Sequence, residues 1–236
     1  VRADVRATAR ALLEAVDVEA CDRREGRIDD LAERRAEWRT DHESDLTSDA
    51  APVLPQRVVE ELNRQIPADG VLVSATSYSG FFSGAFYEVA EPGLRYVQAR
   101  GSDGINASLP QAIGVQVARP DSPVVVLSGD GGIGYHLADL ETAAREELPL
   151  TVVVMNNDAL GSSKASQIGT DNFQLSTDFH EGVDYAQVAR GLGCAGARVE
   201  TPDAFVEELS AALASDRPTL LDVEVDPYAM PPILVG

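Results

Sequence analysis

The chain has 236 residues, 44% of them hydrophobic and 25% charged, with a net charge of −20 at pH 7. That is enough apolar material for one core domain plus an appendage, and no run reaches the ~18 consecutive apolar residues of a membrane span. So acidic a chain repels nucleic-acid phosphate, which removes that class of partner; two cysteines, Cys21 and Cys194, make no disulfide framework and no signal-peptide pattern opens the chain, so the expected location is cytoplasmic.

In chain order, Val5, Ala9, Leu12, Leu13 and Val16 recur at helical spacing and predict an amphipathic helix over residues 3–16. Residues 17–50 are polar and charged, with a helix expected over Ile28–Trp38. The two prolines of Asp49–Pro55 mark a linker, and Pro55 suits the first turn of a helix running to about Gln65. From Val71 onward strands and helices alternate. Strands are expected at Val71–Ser74, Arg95–Gln98, Val124–Ser128, Leu150–Asn156, Gly196–Val199 and Leu220–Val225. Helices are expected at Gly80–Val89, Asn106–Ala118, Tyr135–Glu147, Tyr185–Leu192 and Pro202–Ser215. Near-continuous apolar central strands in such alternation predict an α/β fold, a parallel sheet with helices on both faces, preceded by a helical appendage. The expected division is residues 1–50 and 51–236.

The most specific feature lies inside this pattern. Gly129-Asp130-Gly131 ends one apolar strand and Asn156-Asn157 ends the next, with Asp130 and Asn157 27 positions apart. In a parallel sheet both turns fall at the carboxyl ends of adjacent strands, where α/β folds bind ligands. A carboxylate and a carboxamide there are hard oxygen ligands suited to Mg²⁺, and such a metal would hold a diphosphate. A bare Asp130 beside phosphate would be unfavourable without a divalent cation between them. Gly129 and Gly131 let backbone approach a diphosphate closely, and the helix that follows is expected to turn its amino end toward negative charge.

This spacing matches the thiamine-diphosphate signature, and from about Pro52 to Val225 the chain resembles the C-terminal, diphosphate-binding domain of the acetolactate synthase/benzoylformate decarboxylase family. The resemblance implies Mg²⁺ ligation by the Asp130 and Asn157 side chains and the Ala159 carbonyl. Leu109-Pro110-Gln111-Ala112-Ile113-Gly114 resembles a family helix, which places Ile105 where the family bends the cofactor into a V. Thr76-Ser77-Tyr78 matches a segment that contacts the diphosphate. The turn Ser102-Asp103-Gly104-Ile105-Asn106 and the residues Leu160 and Gly161, with Gln167 beyond them, match later parts of the pattern. Two departures stand out: Gly132 replaces a phosphate-binding Ser, leaving backbone alone to serve, and Asp103 and Asn106 replace glycines. The cofactor-binding set implied is therefore Thr76–Tyr78, Asp103–Ile105, Gly129–Gly132, Asn157 and Ala159–Gly161. The implied activity is decarboxylation or carboligation of 2-oxo acids, most like the acetolactate synthase large subunit, with benzoylformate-type decarboxylation as the nearest alternative. The family's cofactor-activating Glu lies in a pyrimidine-binding domain and is assigned to no residue here. The resemblance thus implies that this chain is a fragment, a truncated product or one subunit of a split enzyme, needing a pyrimidine-domain partner within a homo- or hetero-oligomer. FAD, which some members carry, is left unassigned.

Two rival readings stay open. Gly129, Gly131 and Gly134 also satisfy the dinucleotide fingerprint G-x-G-x-x-G, which would make the chain an oxidoreductase. A cofactor-binding or regulatory subunit without activity is the other. Lys164, near the expected pocket mouth, is either a surface lysine or a contact to substrate or phosphate. His136 and Cys194 read as packed residues, and neither His42 nor His180 has metal-ligand neighbours. Eighteen of the 19 basic residues are Arg and one, Lys164, is Lys. This acidic, Lys-poor balance fits a high-salt cytoplasm, where screening removes carboxylate repulsion; an acidic enzyme from a GC-rich genome is the plainer alternative. The halophile reading predicts refolding yield that rises steeply with KCl, and full stability in dilute buffer would remove it.

Overall fold

A computed structural model of the chain describes residues 3–16, 24–99, 105, 107–171, 176–180 and 182–232. Two units emerge, Val1–Ser44 and Asp45–Gly236. In the first, α1 (Val5–Ala15) begins at Asp4, whose side chain accepts a hydrogen bond from the Ala7 N–H at 2.9 Å. This satisfies one of the donors that a helix start leaves unpaired. The apolar stripe of α1, with Val5, Leu12 and Leu13, is exposed. The helix predicted over 28–38 is longer: α2 spans Arg24–Asp41. Its added residues include Arg24, Arg27 and Arg39, good helix formers that carry no apolar periodicity, and Arg34–Asp30 at 3.2 Å adds support one turn apart.

The second unit is a sheet wrapped by helices. After α3 (Glu43–Leu46) come α4 (Pro55–Gln65), β1 (Val71–Ser74), α5 (Tyr78–Phe86), β2 (Tyr96–Gln98), α6 (Ser108–Ala118) and β3 (Val124–Gly129). These are followed by α7 (Asp130–Ile133), α8 (Asp139–Arg145), β4 (Thr151–Asn156), α9 (Gly161–Asp171), α10 (Tyr185–Gly191), β5 (Ala195–Val199), α11 (Pro202–Leu213) and β6 (Thr219–Glu224). The described strands form one sheet in the order β2-β1-β3-β4-β6-β5, and every pairing is parallel. From β1 the chain goes outward to β2 and then returns to the other side as β3, so the strand order reverses between β1 and β3. Such a reversal opens a crevice at the carboxyl edge.

Strand side chains alternate between the two faces. Val71, Val73, Val124, Val126, Val152 and Val154 share a core with Leu109 of α6, Leu140 of α8 and Ala186 and Ala189 of α10. The opposite face is covered by α4, α5 and α11, which bring the buried Leu62, Phe82, Phe86, Phe205 and Leu209. Burial on both faces explains why β3 and β4 read as unbroken apolar runs. Cys194 is buried and its thiol is pushed up to about 11, chiefly by burial. No described helix is long and apolar enough to cross a membrane.

Three elements depart from expectation. The helix predicted over Tyr135–Glu147 is broken. Its first half is a run of turns in which Asp139, Leu140 and Glu141 donate to carbonyls three residues back, and only α8 is regular helix. Tyr135 is 67% exposed, and Leu137 packs only partly buried against the core, a thin apolar hold for a regular helix. Helix α5 starts two residues earlier than expected and ends three earlier. Helix α9 was not expected: Gly161-Ser162-Ser163-Lys164 is too polar to show an apolar stripe.

A buried polar knot locks the carboxyl edge. Asp222 on β6 is fully buried; it accepts from Asn156 Nδ2 at 3.0 Å and the Tyr185 N–H at 2.9 Å, and Arg198 lies 3.4 Å away. Burial nevertheless holds its carboxyl above the ordinary range. Asp222→Ala orphans the buried Tyr185 N–H and leaves Asn156 Nδ2 only the longer contact to Val183 O at 3.4 Å, while Arg198 keeps Glu224 at 2.9 Å, so we expect a loss of about 2–3 kcal/mol in urea unfolding.

Candidate functional site

The reversal point opens into a cleft of about 140 Å³ at the carboxyl ends of β1, β3 and β4. One wall is Thr76, Ser77 and Tyr78, from the β1–α5 turn. The floor is Gly129, Asp130, Gly131 and Gly132, and the facing wall is Asn157, Ala159, Leu160 and Gly161. Ile105 lines the same cleft and is 44% exposed. The sheet brings these sets together because β3 and β4 are neighbours in register, with Gly129 opposite Met155. Asp103 and Gly104 lie outside the described residues.

Asp130 is the centre of the arrangement. It is 2% exposed, and its Oδ1 accepts from the Gly131 N–H at 2.7 Å. Its Oδ2 accepts from the N–H groups of Asn157 at 3.2 Å and Ala159 at 3.0 Å. Burial pushes its pKa up to about 7; the three N–H groups pull the other way, and Asp158 adds like charge. No basic side chain pairs with it among the described residues. Beside it, Asn157 Nδ2 is buried without a well-formed hydrogen bond among the described residues, though it lies near enough to the Tyr78 hydroxyl to favour its ionised form, and Ser79 Oγ, which also lines the cleft, likewise has no partner among them. The two oxygen atoms of one carboxylate, the Asn157 carboxamide and the backbone of Ala159 offer oxygen ligands of the kind that Mg²⁺ takes. The described residues contain no cluster of three or more His, Cys, Asp or Glu suited to a metal.

Close approach dictates two glycines. A Cβ on Gly131 would lie 2.9 Å from Leu160 Cδ2 and 3.0 Å from Phe179 Cζ. One on Gly161 would lie 2.7 Å from Asn157 Nδ2 and 2.8 Å from Tyr78 Cδ2. Gly129 is different, since a Cβ there would meet only Met155 O, at 3.9 Å. Tyr78 is held by its hydroxyl donating to Ala229 O at 2.9 Å, and burial raises its pKa well above the ordinary value. Ser77 has φ +70°, a region that L-residues rarely occupy, and its Oγ donates to Ser162 Oγ at 2.8 Å.

The helix amino end expected after Gly129-Asp130-Gly131 is present but short. There, α7 is one turn of four residues, because the chain must swing away from the cleft before α8. The helix starts that do border the cleft are those of α5 and α9, with Ser79, Ser162 and Ser163 in the lining. These residues were absent from the sequence-derived set; the Gly161-Ser162-Ser163 run just after a strand-end turn is the helix-start signal that marks Ser162 and Ser163, and no such run marks Ser79. The same four-residue α7 deprives the G-x-G-x-x-G match of the helix that a dinucleotide pyrophosphate requires. Lys164 does not line the cleft: its Nζ donates to Asp178 Oδ1 at 2.9 Å. His136 is part-exposed and bonded to Asp139.

Comparison with known proteins agrees with this geometry. The family profile "Thiamine pyrophosphate enzyme, C-terminal TPP binding domain" matches residues 77–223. The chain is 28% identical over 227 residues to the acetolactate synthase isozyme 3 large subunit of Escherichia coli K12, covering 94% of this chain and 39% of that one. Over 180 residues it is 28% identical to the benzoylformate decarboxylase of Pseudomonas aeruginosa, covering 75% and 33%. Among solved structures it is similar to the thiamine diphosphate-dependent 4-hydroxybenzoylformate decarboxylase of Rhodococcus jostii RHA1, with a TM-score of 0.69 and 28% identity over 76% of this chain and 34% of that one. The chain belongs to the thiamine pyrophosphate enzyme family, and it spans about a third of the length of these relatives.

Substituting Gly161 tests how tightly the cleft is built. Gly161→Ala forces Asn157 and Tyr78 apart, and we expect it to lower stability by about 1–3 kcal/mol, read as a drop in melting temperature.

Proposed function

We propose that the chain is the diphosphate-binding part of a thiamine-diphosphate- and Mg²⁺-dependent decarboxylase or carboligase of 2-oxo acids, most like the acetolactate synthase large subunit. One observation carries the reading: among the described residues Asp130 is a buried carboxylate with no basic partner, beside an Asn157 amide nitrogen with no well-formed hydrogen bond. A buried charge needs a counter-charge. A divalent cation held by Asp130, Asn157 and the Ala159 carbonyl supplies one, and Mg²⁺ customarily completes its shell with phosphate oxygens and water. The fit extends to the ligand, because Gly131 and Gly132 present backbone without side chains and the starts of α5 and α9 turn positive ends to the cleft.

When bound, thiamine diphosphate supplies the carbon nucleophile that attacks the 2-oxo group. The residues of this chain anchor and orient. Asp130 and Asn157 fix the metal, Thr76, Ser77 and Tyr78 border the diphosphate, and Leu160 and Ile105 give the apolar surface on which the cofactor rests. Asp103 and Gly104 complete the proposed binding set. The group that activates the aminopyrimidine comes from a pyrimidine-binding domain or subunit, in a homo- or hetero-oligomer. The relatives' greater length supports that partnership. Residues 1–50 then form the tail and linker of a middle domain, and 51–236 the diphosphate-binding domain.

Thiamine diphosphate with Mg²⁺ should raise the melting temperature, EDTA should abolish the rise, and Asp130→Ala should remove it, because a ligand that binds only the native state must stabilise it. A rise that persists in EDTA would overturn the metal assignment. Pyruvate decarboxylation should need a pyrimidine-domain partner; turnover of benzoylformate but not pyruvate by that complex would select the benzoylformate-type activity.

A further inference from the structure

Lys164 is the only lysine in a chain whose other basic residues are all Arg, yet it is 8% exposed. Lysine is rarely buried unless paired. Here the ammonium meets Asp178 Oδ1 at 2.9 Å and lies 5.3 Å from the centre of the Tyr228 ring. The Asp178 side chain is itself 59% exposed, so a surface carboxylate is drawn onto a buried cation.

What Asp178 is attached to gives the pair its meaning. Its backbone forms an antiparallel bridge with Ala159. On either side, the Leu160 N–H donates to Thr177 O at 2.8 Å and the Phe179 N–H donates to Asp158 O at 2.7 Å. The Phe179 ring covers Gly131, where an added Cβ would lie 3.0 Å away. Ala159 in turn donates its N–H to Asp130 Oδ2. A contiguous path of bonds therefore runs from Lys164 through Asp178 and Ala159 to Asp130. The turn at 157–160 contains Asp158 at φ +51°, and two short backbone bonds are a weak hold for its outer edge. The side-chain tie from α9 is what secures that edge.

We infer that Lys164 is a positioning residue: by anchoring Asp178 it fixes segment 177–179 against 158–160 and so holds Ala159 and Gly131 in place for the metal–diphosphate group. This rests on the thiamine-diphosphate reading proposed above.

The test is Mn²⁺ binding in the presence of thiamine diphosphate, followed by the loss of the free-Mn²⁺ electron paramagnetic resonance signal. It is run on the whole chain at a temperature where circular dichroism shows every variant folded. Lys164→Met and Asp178→Ala should each weaken Mn²⁺ uptake about tenfold, as loss of an outer-shell support does. The double variant should be no weaker than either single one, because both remove the same tie. Wild-type affinity in both variants, or losses that add, would overturn the inference while leaving the cofactor reading intact. Should Lys164→Met not fold, Asp178→Ala, altered at an exposed side chain, decides alone. Wild-type chain that takes up no more Mn²⁺ than Asp130→Ala would overturn the cofactor reading and this inference with it.

Discussion

Three backbone N–H groups converge on one buried carboxylate, and the rest of the site hangs from that convergence. Asp130 ties the turn after β3 to the turn after β4 through Asn157 and Ala159. The sheet register places the two turns side by side, and the carboxylate stitches them. It does so at a cost, since burial drives the group toward its neutral form. A structural role alone would be served as well by a neutral acceptor. A site that keeps a carboxylate where its charge is penalised is one suited to receiving a cation.

Around that stitch the cleft is shaped by close approach. Gly131 leaves room for Leu160 and Phe179, and Gly161 for Asn157 and Tyr78. The β1–α5 turn is strained at Ser77, whose φ of +70° is tolerated because α5 behind it is packed through Phe82 and Phe86. Ser77 and Ser162 then join the starts of α5 and α9 across the cleft through their hydroxyls. The departure Gly132, where a phosphate-binding Ser was expected from resemblance, is accompanied by hydroxyls elsewhere in the lining, at Ser79, Ser162 and Ser163.

The knot at Asp222 shows how the scaffold serves the site. Asn156 spends its side-chain amide on Asp222, which fixes the end of β4 to β6, while its neighbour Asn157 turns its amide to the cleft, where its nitrogen has no well-formed hydrogen bond among the described residues. Two adjacent residues of one type thus have opposite assignments, set by strand alternation that turns one toward the core and the other toward the crevice.

The chain's own sequence determined the parallel sheet, the six strands and the pairing of Asp130 with Asn157. Apolar runs buried on both faces and glycine-flanked polar turns are local signals, and the 27-residue spacing is the length of one strand–helix crossover. It did not reveal the break in the 135–147 helix or the existence of α9, because one segment has only a partly buried Leu137 against the core and the other opens on the polar run Gly161-Ser162-Ser163-Lys164. Nor could it reveal that Lys164 is buried against Asp178, that Phe179 covers Gly131, or that Ser77 meets Ser162. Those contacts join residues brought together by loops with no periodicity. Tertiary structure alone decides them, because which polar groups find partners depends on how turns from separate strands stack at the sheet's edge.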